Sequence, residues 1–436
     1  MDLRRLLGEL MREHGVPGAQ LALYREGEFA AVAAGERVHG TGEEVTGHTA
    51  FPIGSVTKPF TAAVAMLLVE DGDVEPDAPF AEYLPELGSA RPGLHRDMTL
   101  RQVLSHTAGL VADPVSPNVT RARWIAENCR AADMPAPPGK YFSYSNTGYV
   151  LAGHVVESVL GMSWPEAVES VLLRPLGISP VFVSGPGASA ARPRAGGHVT
   201  GPNGVRPVVQ SLSAIEAPSG ALALSATDLV TFARSQWGDP ALPSPLTPES
   251  AGRMRRGQLG SETAGPYGMA DDWGLGWALY RDGDRIWGGH DGTGDGTSAH
   301  LRFRPDAATA VALTANAATG SALWADLLRE LGIGDAVTGL GAGSAGPPVP
   351  APPDLAGRYV NGTGEFRADV GADGELLLTI DGERRSVVHR EGATFTVPDV
   401  GGGRMSHRGR FLRDEQGRVS HLQLAGRLAN RADDRD

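Results

Sequence analysis

The sequence is poor in sulfur and in lysine. Cys129 is the single cysteine among 436 residues, which excludes an internal disulfide and a thiolate metal cluster. Lysine occurs only at Lys58 and Lys140, so 37 of the 39 basic residues are arginine. The 59 glycines and 32 prolines share that bias toward GC-rich coding. A lysine that persists against it is a candidate for chemistry. Long apolar runs are also missing: the longest, 60–69, is too short to span a bilayer. There is no excess of positive charge. The net charge of −12 argues against general binding to nucleic acid or anionic membranes. The N-terminus sets Leu3, Leu6, Leu7 and Leu10 among Glu9 and Glu13. That spacing predicts an amphipathic helix without a signal-peptide core, hence a cytoplasmic protein.

What is present is ordinary for a globular chain, with 41% hydrophobic and 21% charged residues. The length suits two or three domains. Strand patterns at 19–24 and 28–34 flank the turn Arg25-Glu26-Gly27. A long apolar helix is predicted over 55–71, and helices over 100–105, 147–160 and 321–331. Strand patterns return at 274–280, 285–288, 299–303 and 308–314. Strands at both ends of a helical middle predict an α/β sandwich, with an antiparallel sheet and a helical insert. Residues 339–353 read GLGAGSAGPPVPAPP, a linker composition. Beyond it, short alternating runs at 357–359, 375–380, 386–389, 395–397, 410–412 and 421–424 predict a small β-barrel or sandwich. The expected division is 1–338, 339–353 and 354–436.

Three motifs carry chemistry. Ser55-Val56-Thr57-Lys58 is an S-x-x-K, one helical turn apart, so both side chains share a face. At a helix N-terminus the macrodipole favours an alkoxide and disfavours a charged amine. A buried Lys58 would then be neutral and able to take the serine proton. Alone, the pattern also fits a capping serine with a stray lysine. Tyr144-Ser145-Asn146 ahead of a helix can place a phenol and an amide in a cleft. The phenol can shuttle a proton, and the amide can orient Lys58 or a substrate carbonyl. A buried tyrosine in a polar turn is the plain alternative. His290-Asp291-Gly292-Thr293 offers a histidine donor and a glycine that admits substrate backbone. The N–H groups of Ser55 and Thr293 are the expected oxyanion hole. The spacing from Asp291 to Asp295-Gly296 lacks the remainder of a calcium loop. No metal or organic cofactor is called for.

The order S-x-x-K, Tyr-x-Asn, His-x-Gly across about 235 residues resembles the penicillin-recognising serine acyl-transfer superfamily. This includes class C β-lactamases, D-Ala-D-Ala carboxypeptidases and related esterases. Leu104-Ser-His-Thr-Ala-Gly-Leu110, Leu173-Arg-Pro-Leu-Gly177 and Trp273-Gly-Leu-Gly-Trp277 share the likeness, which covers about 5–335. Many β-lactamases have Lys-Thr-Gly where this chain has His-Asp-Gly. More narrowly, the whole chain resembles the penicillin-binding-protein-type thioesterases of nonribosomal peptide pathways. Matching stretches include Gly18-Ala-Gln-Leu21, 51–58, 142–149, 225–229, Leu313-Thr-Ala-Asn316 and Gly426-Arg427. The resemblance implies an appended lipocalin-like domain. It also implies a mechanism: Ser55 takes a peptidyl group from a carrier-protein thioester, and the peptide's own N-terminal amine releases it as a macrolactam. The family tends to accept a D-residue at the acyl end. Ser219 and Gly220, on a strand-edge segment 218–223, match its acyl-pocket wall, and Arg427 matches an arginine that the small domain contributes to the cleft.

Water as acceptor would make the same acyl-enzyme an esterase or a D-stereospecific peptidase or amidase. A peptide-binding module on a dead fold is a third reading, against which the full motif set stands. Carrier proteins are usually acidic, so docking on this acidic chain would use a local patch. Arg253-Met254-Arg255-Arg256 and Arg192-Pro193-Arg194 are the candidates.

Overall fold

The first helix, Leu3–His14, forms because leucines line one face. Asp2 caps it by accepting from the Arg5 N–H, and Gly15 ends it at φ 62°. Its buried Leu7, Leu10 and Met11 pack on a seven-stranded sheet. In the computed structural model the described residues are all but 89–92, 116–118, 185–191, 202–203, 262, 335–336, 339–346, 381, 398–406 and 433–436. Residues 339–346 of the expected linker therefore lie outside the described residues.

The sheet runs Glu28–Gly35, Gly18–Arg25, Thr309–Ala315, Thr297–Arg304, Arg285–Gly294, Ala278–Asp282, Asp272–Trp273. Every neighbouring pair is antiparallel. Its inner strands come from both ends of the sequence, as the strand patterns there predict. The two faces alternate residue by residue. Leu21, Val311 and Leu313 face the first helix and the closing helix Gly320–Glu330. Ala22, Ala310, Ala312, Leu301 and Phe303 face the helical insert.

The insert is built around Thr57–Asp71, a helix buried on all sides from Thr57 through Met66. It packs on Asn146–Leu160 and on the short helix Ala217–Gly220. Gly153 lets Asn146–Leu160 approach the same short helix: a Cβ there would lie 2.1 Å from Pro218 Cγ. Thr61 ties Thr57–Asp71 to it by donating its hydroxyl to the Pro218 carbonyl at 2.7 Å.

The C-terminal region closes into an eight-stranded barrel. Two strands, Gly364–Val370 and Arg427–Ala432, add to the six expected runs. The barrel core is apolar and packed, with Tyr359, Leu378, Phe395 and Leu422 inside. Val349 and Ala351, in the segment expected to be linker, already hydrogen-bond to His389 and Gly374 of the barrel. Among the described residues no helix is long and apolar enough to cross a membrane.

Candidate active site

Ser55 sits in a 3-10 turn, Gly54–Val56, and the α-helix begins only at Thr57. This corrects the continuous helix expected from Ser55. Gly54 takes φ 49°, a left-handed value that costs glycine little, and the turn lies flat against the strand Arg285–Gly294. A Cβ on Gly54 would lie 2.3 Å from the Thr293 carbonyl oxygen, and one on Gly292 would lie 2.0 Å from that of Ile53. Two glycines, one on each side, therefore bring the nucleophile turn against the strand. The register pairs that strand with Ala278–Asp282 only as far as Gly289. Residues 290–294 keep the Thr297–Arg304 strand on one edge alone. Ser55, Thr293, Asn146, Ser219 and Gly220 line one cavity of about 230 Å³.

Lys58 is fully buried. Its Nζ lies 2.9 Å from Ser55 Oγ and donates to the Ser219 carbonyl at 2.9 Å. Burial pushes the amine well below the ordinary lysine range; the Arg427 charge adds to the fall and Asp113 opposes it. With one N–H committed to Ser219, the neutral amine can turn its lone pair to the serine hydroxyl. Ser219 thus supplies a backbone acceptor. It belongs to the helical turn Ala217–Gly220 rather than to the expected strand edge, because Ala217-Pro218 starts a helix and the strand begins only at Leu222.

Tyr144 hydrogen-bonds Ser55 through its phenol, which burial holds above the ordinary tyrosine range. Lys58 Nζ lies 5.1 Å from its ring centroid and 5.6 Å from that of Tyr149. His106 props the ring from behind, with centroids 4.3 Å apart. His106 adopts φ 57° and accepts the Ser145 N–H at its Nδ1. It belongs to the Leu104–Leu110 stretch, but the sequence assigned it no role.

Asn146 opens the helix Asn146–Leu160. Its amide donates to Asp113 Oδ1 at 2.6 Å, not toward Lys58, whose acceptor is Ser219. His290 departs from expectation too. Its Nδ1 lies 2.7 Å from the Asp291 carbonyl, so Nδ1 carries the proton. Burial brings the ring down to about 3, and the neutral ring presents Nε2 as an acceptor rather than a donor. Asp291 faces the opposite side of the sheet. There Arg302, wholly buried, grips it with two N–H groups at 2.9 and 2.7 Å, and His300 adds a third contact at 2.7 Å. The Arg302 charge holds that carboxyl below its ordinary range against the cost of burial.

Arg427 comes from the barrel. The turn Ala425-Gly426 has positive φ at both residues, 46° and 74°, as a tight hairpin needs. The Gly426 carbonyl accepts the Tyr144 N–H at 2.9 Å. Leu428 N–H reaches Ser143 Oγ at 3.3 Å, and Gln423 donates to the Phe142 carbonyl at 2.9 Å. The barrel therefore docks on the segment that carries Tyr144. Arg427 meets Asp113 Oδ1 at 3.3 Å. Asp113 is the rim residue that the sequence did not reveal, since an aspartate before a proline signals only a turn. Of the expected docking arginines, Arg192 is bound to Asp228 and mostly buried, and Arg255 donates to the Ala251 carbonyl.

The model of the family described as Beta-lactamase matches residues 3–332. The chain belongs to the β-lactamase family. Penicillin-binding protein 4 of Amycolatopsis lactamdurans is 35% identical over 356 residues, covering 79% of this chain and 91% of that protein. The crystal structure of SurE aligns with 99% of this chain and 98% of its own, at 38% identity and a TM-score of 0.84. A structure of SurE with D-Leu gives 37% identity and a TM-score of 0.81 over the same shares. The protein is a serine acyl-transfer enzyme of this superfamily, with a β-lactamase-like sheet and helices and an added C-terminal barrel.

Proposed function

We propose that the enzyme takes a nonribosomal peptidyl group from a carrier-protein thioester onto Ser55 and releases it by head-to-tail macrolactam formation. The observation that carries the acyl-enzyme step is Lys58 Nζ at 2.9 Å from Ser55 Oγ in a dry setting. Lys58 takes the Ser55 proton as Oγ bonds to the thioester carbon. The N–H groups of Ser55 and Thr293 receive the oxyanion. As the C–S bond breaks, the thiolate takes a proton through Tyr144 and the ester remains on Ser55. In the second half the peptide's N-terminal amine attacks the ester carbon. The amine loses a proton toward Tyr144 and Lys58, the C–Oγ bond breaks, and Ser55 regains its proton.

The acceptor and the D-configured acyl end rest on likeness. SurE matches the chain over nearly its full length, barrel included, and one SurE structure holds D-Leu. Ser219 and Gly220 then bound the acyl side-chain pocket, and Arg427 meets the chain at the rim. Hydrolysis is the second reading, favoured by a site open to solvent: Ser55 is only partly buried, and the Arg427 side chain at the rim is 42% exposed.

A linear peptidyl thioester ending in a D-residue tests both. Mass spectrometry is expected to find an acyl adduct on Ser55 and a cyclic product lighter than the free acid by one water. Linear acid alone, with the adduct intact, would move the protein to the hydrolases. Absence of any adduct, and of fluorophosphonate labelling at Ser55, would return it to peptide binding.

A further inference from the structure

We infer that Asp113 is a positioning residue that locks the barrel's Arg427 and the helix residue Asn146 to one point on the rim. A single oxygen, Asp113 Oδ1, accepts from Asn146 at 2.6 Å and from Arg427 at 3.3 Å. The three residues come from a loop, a helix start and another folding unit. The backbone on either side of Arg427 is already fixed: Gly426 holds Tyr144 and Leu428 holds Ser143. Only the long side chain is left to aim, and Asp113 aims it.

Stability does not account for the pair. The Asp113 side chain is 54% exposed and that of Arg427 is 42% exposed, and ion pairs in such settings contribute little to folding. Their effect falls on the base instead. The Arg427 charge lowers the Lys58 pKa and the Asp113 charge raises it. The other groups facing Lys58 are the Ser55 hydroxyl, the Ser219 carbonyl and the Tyr144 and Tyr149 rings. His106 and His290 lie within reach of its charge, and burial holds both rings neutral. Arg427 and Asp113 are therefore the charged groups that act on it. Asp113 fixes the distance of the one that opposes it.

The test uses the full-length protein and single-turnover acylation of Ser55 by a small acyl thioester, so the readout does not depend on ring formation. Arg427→Gln is expected to move the acidic limb of the acylation rate to higher pH, since the lysine then holds its proton longer. Asp113→Asn is expected to move it to lower pH. Each shift is roughly half to one pH unit at low salt. Asp113→Ala alone is expected to slow acylation about tenfold, and to add little to Arg427→Gln, because both remove one interaction. Additive losses, limbs moving in the same direction, or limbs that stay in place would overturn the proposal. Melting temperatures close to wild type would keep misfolding from imitating the effect. Loss of cyclisation chemistry with these shifts intact would defeat the proposed macrolactam reading and leave Asp113 in its role.

Discussion

The base and the rim differ in how they are made. Lys58 sits in a wholly buried layer, between its own serine and a carbonyl 161 positions away. Asp113 and Arg427 sit half in water, joined across 314 positions. Burial sets the first: removing water from the amine is enough to lower its proton affinity. Position sets the second, since exposed charges act only as far as screening permits. The dry layer holds the serine and its base. The wet rim holds the charges that act on that base, and the two can be separated by substitution.

The harshest break is at the nucleophile. Ser55→Ala is expected to abolish the covalent adduct and reduce thioester turnover by at least about 10⁴-fold, with the fold intact by circular dichroism. Residual turnover near wild type would remove the dry layer from the chemistry altogether.

Lys58→Met comes next. Losing the base is expected to cost about 10² to 10⁴ in turnover. The same variant has a signature in stability. The folded lysine gives up its proton well below the usual pH, while the unfolded one keeps it to about pH 10.4. Between those two values the unfolded state binds more protons, so wild-type stability rises with pH. Lys58→Met is expected to flatten that part of the melting-temperature profile. An unchanged slope would mean that Lys58 is not the group desolvated on folding.

Much of the dry layer was legible because it is local. Ser55 and Lys58 are one turn apart, and Tyr144 and His290 stand in short motifs. What was not legible depends on tertiary contact. Ser55 falls in a 3-10 turn because the turn is pressed against Gly292 and Thr293, which no window around residue 55 reveals. Ser219 lies on a helical turn that Ala217-Pro218 starts and whose Pro218 is seated against Gly153, a contact remote in sequence. His290 is an acceptor at Nε2 because the adjacent Asp291 carbonyl accepts a hydrogen bond from its Nδ1–H. In the barrel, Gly364–Val370 does alternate at Phe366, Ala368 and Val370. Charged residues between them and a small central alanine make the pattern faint. Arg427–Ala432 is short and becomes a strand by closing the barrel against Gly357–Asn361. Asp113 carries only the local mark of a turn, with Pro114 after it.

Gly292→Ala probes the seam between the Ser55 turn and the strand Arg285–Gly294. Its new Cβ would lie 2.0 Å from the Ile53 carbonyl and 3.0 Å from Ser55 N. The backbone must move to admit it, displacing an expected oxyanion donor. A loss of about 10² to 10³ in turnover is expected, with KM less affected than kcat. A change confined to KM would mean that the Ser55 amide does not serve the transition state.

The mildest break acts from inside the barrel. Asn361 is buried at the joint: its Oδ1 accepts the Ala112 N–H at 2.7 Å and its amide donates to the Leu428 carbonyl at 2.5 Å. The Ala112 carbonyl accepts from Asn146 N at 2.7 Å, and the next residue is Asp113. One side chain thus ties the loop that bears Asp113 to the strand that bears Arg427. Asn361→Ala leaves the Ala112 N–H and the Leu428 carbonyl without that partner, at a cost of about 1 to 3 kcal/mol. None of the buried groups around Lys58 is touched. The expected outcome is a melting temperature lowered by a few degrees and a few-fold loss of acylation, with the acidic limb moving in the direction given by Arg427→Gln. A melting temperature that falls while rate and limb stay fixed would confine Asn361 to holding the barrel. The rim would then keep its geometry through the remaining Gly426–Tyr144, Leu428–Ser143 and Gln423–Phe142 bonds.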